Sequence, residues 1–163
     1  MSFHQQLKNK LVSKEDALQK INLQKQKGKK IVFTNGCFDI LHPGHVDYLS
    51  QARDLGDFLI LGLNTDKSVK RLNKAANRPI NSEQARAKVL AALGCIDMIV
   101  LFDEETPYEL IKFLQPNILV KGNDYEVEKI VGYDIVAANG GKVITIPFLE
   151  GFSTTNLIKK ILS

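Results

Sequence analysis

Three histidines occur in the chain, and two of them, His42 and His45, stand three positions apart in the stretch Lys30–His45, KIVFTNGCFDILHPGH. Ile31, Val32 and Phe33 make a short apolar run that predicts a buried strand, and Thr34, Asn35 and Gly36 break it where the chain must turn. Past His42-Pro43-Gly44-His45, the apolar residues Val46, Leu49, Ala52 and Leu55 recur at helical spacing. Two imidazoles therefore sit at the mouth of a helix, just beyond the end of a strand. Free N–H groups and the positive end of the helix dipole attract anions there. Imidazoles one turn apart reach the same ligand, so the pair can hydrogen-bond two oxygens of one polyphosphate. Gly36 lets the backbone of the Asn35-Gly36-Cys37-Phe38 turn come close to a ligand, and Gly44 removes a side chain from between the imidazoles. The same pair could be half of a zinc site, but Cys95 and His4 lie in unrelated segments, which favours phosphate.

Other residues have chemistry to offer. Asp39 could order the turn, bind an acceptor sugar or help hold Mg²⁺. The polar stretch Thr65–Asn81 carries Lys67, Lys70, Arg71, Lys74 and Arg78, cations suited to phosphates, and it follows Asn64 and includes Asp66, which could cap a turn. Lys121, Gly122, Asp124 and Tyr125 form a short loop that also reads as a plain turn. In EGFSTTNLIKKI, Gly151 and Phe152 lead into Ser153, Thr154 and Thr155, whose hydroxyls and N–H groups at a helix start offer a second anion or ribose contact.

Positioning these groups requires strands alternating with helices. Ser13 with Asp16 opens a helix over EDALQKINLQKQKG that Gly28 stops, whereas residues 1–12 lack a clear pattern. Strands are expected at Ile31–Thr34, Phe58–Asn64, Met98–Phe102, Ile118–Val120 and Val143–Ile146. Helices are expected at Gly44–Leu55, from Ser82 through Leu93, from Thr106-Pro107 to about Leu114, from about Val127 to Ala138 with Gly132 interrupting, and from Ser153 or Thr154 onward. Such alternation means βαβ units: an α/β fold with a doubly wound, five-stranded parallel sheet and an N-terminal helix. In open parallel sheets ligands bind past the carboxyl ends of the strands, and every group named above follows a strand or begins a helix there.

Length bounds the rest. The 163 residues suit a single domain over 1–163, with an N-terminal helical extension at 1–29 and a catalytic core at 30–163. No apolar run approaches a membrane span, Met1–Lys10 has no secretory pattern, and two distant cysteines give no disulfide framework, so a cytoplasmic protein is expected. The net charge of +4 owes much to Lys25, Lys27, Lys29 and Lys30, and no basic stripe with interleaved aromatics suggests nucleic acid.

The order strand, N-G-C-F-D, H-x-G-H, helix, with G-x-S-T-T near the end, resembles the nucleotidyltransferase superfamily that contains the cytidylyltransferases. The wording NGCFDILHPGH is most similar to its heptose-1-phosphate adenylyltransferase, or ADP-heptose synthase, branch. The resemblance implies that His42 and His45 stabilise the triphosphate as a substrate phosphate attacks the α-phosphorus, with Lys70 and Lys74 on the phosphates and Arg71 as a third cation. It places Lys121, Gly122, Asp124 and Tyr125 beside base and acceptor, and groups Asp39, Asn64, Arg71, Lys121 and Tyr125 as acceptor contacts. It also implies ATP and a sugar 1-phosphate as substrates, Mg²⁺ carried mainly by phosphates, no nucleic-acid or membrane partner, and a homodimer as a compatible state. Glycerol-phosphate enzymes of the superfamily carry a Thr and an Arg where this chain has Cys37 and Phe148; both changes match the heptose branch, and Lys121 could replace the missing Arg contact. A cytidylyltransferase, an FMN adenylyltransferase or a nucleotide-binding sensor domain are the alternatives, and the length suits a form without a fused sugar kinase.

Overall fold

The computed structural model describes residues 1–72, 77–122 and 126–163. Six parallel strands form one sheet: β1 (Leu11–Val12), β2 (Ile31–Gly36), β3 (Phe58–Asn64), β4 (Met98–Phe102), β5 (Ile118–Gly122) and β6 (Lys142–Ile146), in the order β1-β4-β3-β2-β5-β6. Buried apolar runs build the centre, because a parallel strand covered by helices on both faces can expose little. Successive residues point to opposite faces. In β2, Val32 joins a core with Leu49, Leu59, Leu61 and Leu90, whereas Ile31 and Phe33 join another with Ile60, Met98, Ile111 and Leu119.

The helices are α1 (Phe3–Lys8), α2 (Lys14–Gln26), α3 (Pro43–Asp54), α4 (Asp66–Arg71), α5 (Glu83–Ala91), α6 (Tyr108–Leu114), α7 (Tyr133–Ala138) and α8 (Thr154–Leu162). Their buried residues sort by face: α3 and α5 cover the first core, and α2, α6 and α7 the second. Ser13, Thr65, Ser82 and Ser153 each cap a helix by accepting a backbone N–H three residues on.

Four expectations need correction. The sheet has six strands, not five, and residues 1–12 are structured: Ser2 caps α1, and Leu11 and Val12 pair with Ile99 and Val100. A two-residue strand has no period to detect; the open edge of β4 supplies its partners. Thr65–Asn81 is not wholly loop, since Thr65 caps α4. The expected helix from Val127 splits into a 3₁₀ turn, Val127–Lys129, and α7, because Gly132 is left-handed (φ +91°) against the Ile111 side chain, where a Cβ would meet Cδ1 at 2.7 Å.

Strand order reverses around β2: the chain steps from β2 to β3 and β4 on one side, then returns to β5 and β6 on the other. A crevice must open beyond the carboxyl ends of β2 and β5.

Candidate active site

That crevice is a cleft of about 480 Å³. β2 runs on through the expected break at Thr34–Gly36, so its end supplies Asn35 and Gly36 and the turn after it Cys37, Phe38 and Asp39; the start of α3 supplies its N-cap His42, then Gly44, His45 and Tyr48; β5 ends in Lys121 and Gly122; and the segment after β6 brings Phe148, Leu149 and Phe152–Thr155. The two motifs more than a hundred residues apart in sequence therefore meet on one cavity.

The histidine pair is tighter than helical spacing alone requires. The rings of His42 and His45 stack with centroids 3.7 Å apart and planes 22° apart, and Phe38 tilts against His45 at 5.1 Å. His42 is the N-cap of α3, contributes no side-chain cap, and is followed by Pro43, which has no N–H to satisfy. This helix start therefore has no side-chain acceptor for its first N–H groups. Burial disfavours the imidazolium of His42 and lowers its pKa, and its Nδ1 is buried with no hydrogen-bond partner, as is Oδ1 of Asn35. A polyphosphate would reverse that preference by favouring the charged ring.

Close packing explains the glycines. A Cβ on Gly44 would meet His42 Cε1 and Nδ1 at 3.1 Å and Phe152 Cβ at 3.3 Å. One on Gly122 would meet Cζ of Phe148 at 2.1 Å, so this aromatic ring lies directly on the end of β5. Phe38 itself takes the left-handed region (φ 46°), a strained conformation for a bulky residue in the turn against the imidazoles. Ser153 caps α8 by accepting from Asn156 N–H, and Thr154 Oγ1 reaches the Ile40 carbonyl at 3.5 Å, tying the start of α8 to the turn before His42.

Some expected groups lie elsewhere. Lys70 is exposed on α4 and Arg71 is bound to Asp103, through its carbonyl and, at 3.5 Å, its carboxylate; neither lines the cleft. Asn64 is buried and donates to Ser68 Oγ at 2.9 Å, also outside it. Lys74, Asp124 and Tyr125 lie outside the described residues. Asp39 is at the cleft, but its carboxylate is occupied: Oδ2 accepts from Arg78 Nε at 2.6 Å and Ile80 N–H at 2.8 Å, and Oδ1 accepts from Asn81 N–H at 2.8 Å. Asp66 pairs with Arg86 at 2.8 Å.

Sequence reasoning did not single out Arg78 for the site, and it passed over Arg86, Tyr48 and Leu149. Tyr48 could have been found, because 42, 45 and 48 fall on one helical face. Its hydroxyl lies 2.8 Å from Thr34 Oγ1, which also donates to the Val120 carbonyl and so ties α3 to β2 and β5. Arg86 is fully enclosed; it donates to the carbonyls of Cys37 (2.7 Å) and Asn81 (3.1 Å) and fixes the turn from below. Among the described residues no group of His, Cys, Asp and Glu could hold a metal ion, and no helix is long and apolar enough to cross a membrane.

A doubly wound sheet, with a cleft at its switch point where a helix mouth carries stacked imidazoles, defines an α/β protein of the Rossmann-like class. Residues 33–160 match the cytidylyltransferase-like family model, and the chain belongs to that family, as a nucleotidyltransferase. It is 54% identical over 154 residues to the bifunctional protein HldE of Syntrophotalea carbinolica, covering 94% of this chain and 31% of that one. It is 59% identical over 137 residues to the HldE of Citrifermentans bemidjiense, covering 84% and 28%. The chain thus spans about a third of the length of these relatives. A crystal structure of the lipopolysaccharide core biosynthesis protein from Thermoplasma volcanium superposes with a TM-score of 0.59 at 28% identity, covering 75% of this chain and 98% of that one.

Proposed function

We propose that this nucleotidyltransferase is an adenylyltransferase that joins ATP to a D-glycero-D-manno-heptose 1-phosphate, giving ADP-heptose and pyrophosphate. The reading is supported above all by one observation: the stacked His42 and His45 share a single cleft with the helix start at Ser153–Thr155. An oxygen of the sugar phosphate attacks the α-phosphorus, and the bond from that phosphorus to its bridging oxygen breaks. Pyrophosphate departs with the electron pair. The attacking phosphate is already ionised near neutral pH, so no general base is needed. Catalysis rests on in-line positioning and on stabilising charge on the phosphate oxygens. His42, His45 and the N-terminus of α3 meet those oxygens and the start of α8 holds the nucleotide; Mg²⁺ bound mainly by the phosphates would supply further charge neutralisation to the leaving group. The likeness of NGCFDILHPGH to the heptose branch supports the acceptor, as do the HldE relatives.

Pyrophosphate release, assayed with ATP, CTP and GTP against heptose 1-phosphates, glycerol 3-phosphate and FMN, tests the reading. Release is expected with ATP and a heptose 1-phosphate. Release confined to CTP or to FMN would replace this reading with one of its relatives, and an ATP-dependent rise in melting temperature without any release would mean a binding module.

A further inference from the structure

We infer that Arg78, held by Asp39, is the contact for the acceptor's phosphate monoester; the inference rests on the proposed transferase reading and deepens it. Among the described residues, Arg78 and Lys121 are the lysine and arginine side chains that line the cleft. Lys70 and Arg71 do not line it, and Lys121 stands at the end of β5, on the side of β2 from which the Ser153–Thr155 segment also comes. Arg78 enters from the other side, from the segment that leads into α5, and it lines the cleft while being only 8% exposed. A guanidinium is not buried to that extent without a reason.

Its surroundings indicate the reason. Asp39, with a fully buried side chain, takes Nε at 2.6 Å and is itself fixed by the N–H groups of Ile80 and Asn81 at 2.8 Å each. Asn81 Nδ2 also donates to the Asp39 carbonyl at 2.8 Å. Among the described residues Nε is the only nitrogen of Arg78 with a partner, so the two η nitrogens are what this side chain offers a ligand. A planar fork with fixed orientation matches the oxygens of a phosphate, and Asp39 has already met the cost of orienting it. In-line displacement then selects which phosphate. The nucleotide takes the helix starts and the β5–β6 side, pyrophosphate leaves along that chain, and the attacking phosphate must approach from the opposite direction. That direction is the Arg78 wall.

Steady-state pyrophosphate release by Arg78→Gln and Arg78→Lys checks the assignment. Losing a charge-assisted pair of hydrogen bonds should raise KM for the sugar 1-phosphate on the order of 10- to 100-fold in Arg78→Gln, with KM for ATP held within about twofold and Arg78→Lys intermediate. A merely structural role would move both KM values together. Equal changes in the two, or an unchanged KM for the sugar phosphate, overturn the inference. Should Arg78→Gln fail to fold because Asp39 is left buried and unpaired, the double variant Asp39→Asn, Arg78→Gln removes both charges and is judged by the same split. If wild type releases no pyrophosphate with any acceptor, the transferase reading itself has failed. Calorimetric titration with glucose 1-phosphate and inorganic phosphate then judges Arg78 alone: binding weakened in Arg78→Gln upholds a phosphate subsite, and equal binding or none rejects it.

Discussion

Replacing Arg86 by Met should be among the most damaging changes available outside the cleft, and the structure allows the loss to be estimated. Arg86 is 2% exposed and serves three acceptors: the Cys37 carbonyl at 2.7 Å, the Asn81 carbonyl at 3.1 Å and the Asp66 carboxylate at 2.8 Å. Methionine keeps much of the volume and removes all three donors. The carbonyl of buried Cys37 is then left unsatisfied, at a cost of about 1–3 kcal/mol. The side chain of Asp66 is 33% exposed and Asn81 is exposed, so water can replace what they lose, adding only about 1 kcal/mol together. The sum is about 2–4 kcal/mol, and at 2–4 °C per kcal/mol for a domain of this size the melting temperature should fall by roughly 4–16 °C. Arg53→Met is the control. Its pair with Asp97, at 3.0 Å, has both side chains about a third exposed, so it should cost about 1 kcal/mol or less. Scanning calorimetry of both variants decides the matter. A fall of less than about 2 °C for Arg86→Met, or one no larger than that of Arg53→Met, would refute the argument that this arginine holds the turn after β2.

The cleft glycines separate activity from stability. Gly44→Ala lengthens the side chains of a helix and should leave melting unchanged or slightly raised, yet its Cβ presses on His42 at 3.1 Å, so kcat for pyrophosphate release should fall by about tenfold; a normal kcat would show that the imidazole position is not critical. Gly122→Ala must expel the Phe148 ring, which is 59% exposed and can swing away, so KM for ATP should change with little loss of stability; a fall in melting temperature of many degrees would contradict this. Burial lowers the pKa of His42 in the free protein, so the unfolded chain binds more protons near pH 6.5 and stability should decline as pH falls through that value, a slope that His42→Gln should flatten. ATP binding should oppose this by favouring the imidazolium, with proton uptake and tighter binding as pH falls from about 7 to 6; calorimetry in buffers of different ionisation enthalpy that detects no uptake would exclude it.

The sequence conveyed geometry well wherever a period or a break carried it. Ile31–Phe33, Phe58–Asn64 and Met98–Phe102 are runs long enough to identify buried parallel strands, and Ser13, Ser82 and Ser153 announce helices because a cap is a local bond. Leu11–Val12 left no trace, since its partners at Ile99 and Val100 lie nearly ninety residues away. The same division runs through the site. Local motifs singled out the histidines and the Ser153–Thr155 helix start, which line one cleft in the fold. Charges were another matter: a composition of lysines and arginines in Thr65–Asn81 says that cations are near, and nothing in it distinguishes Arg71, which reaches out to Asp103, from Arg78, which reaches in to Asp39. Which cation faces a ligand depends on where the acids fold. Asp39 is the case in point: in sequence it is an acidic residue beside a phosphate motif, open to sugar or metal, but the chain brings residues 78–81 back across it, and three donors claim its oxygens. The buried carboxylate therefore does its work by orienting a cation. Mutating Asp39 should for that reason resemble losing Arg78 more than losing a metal ligand.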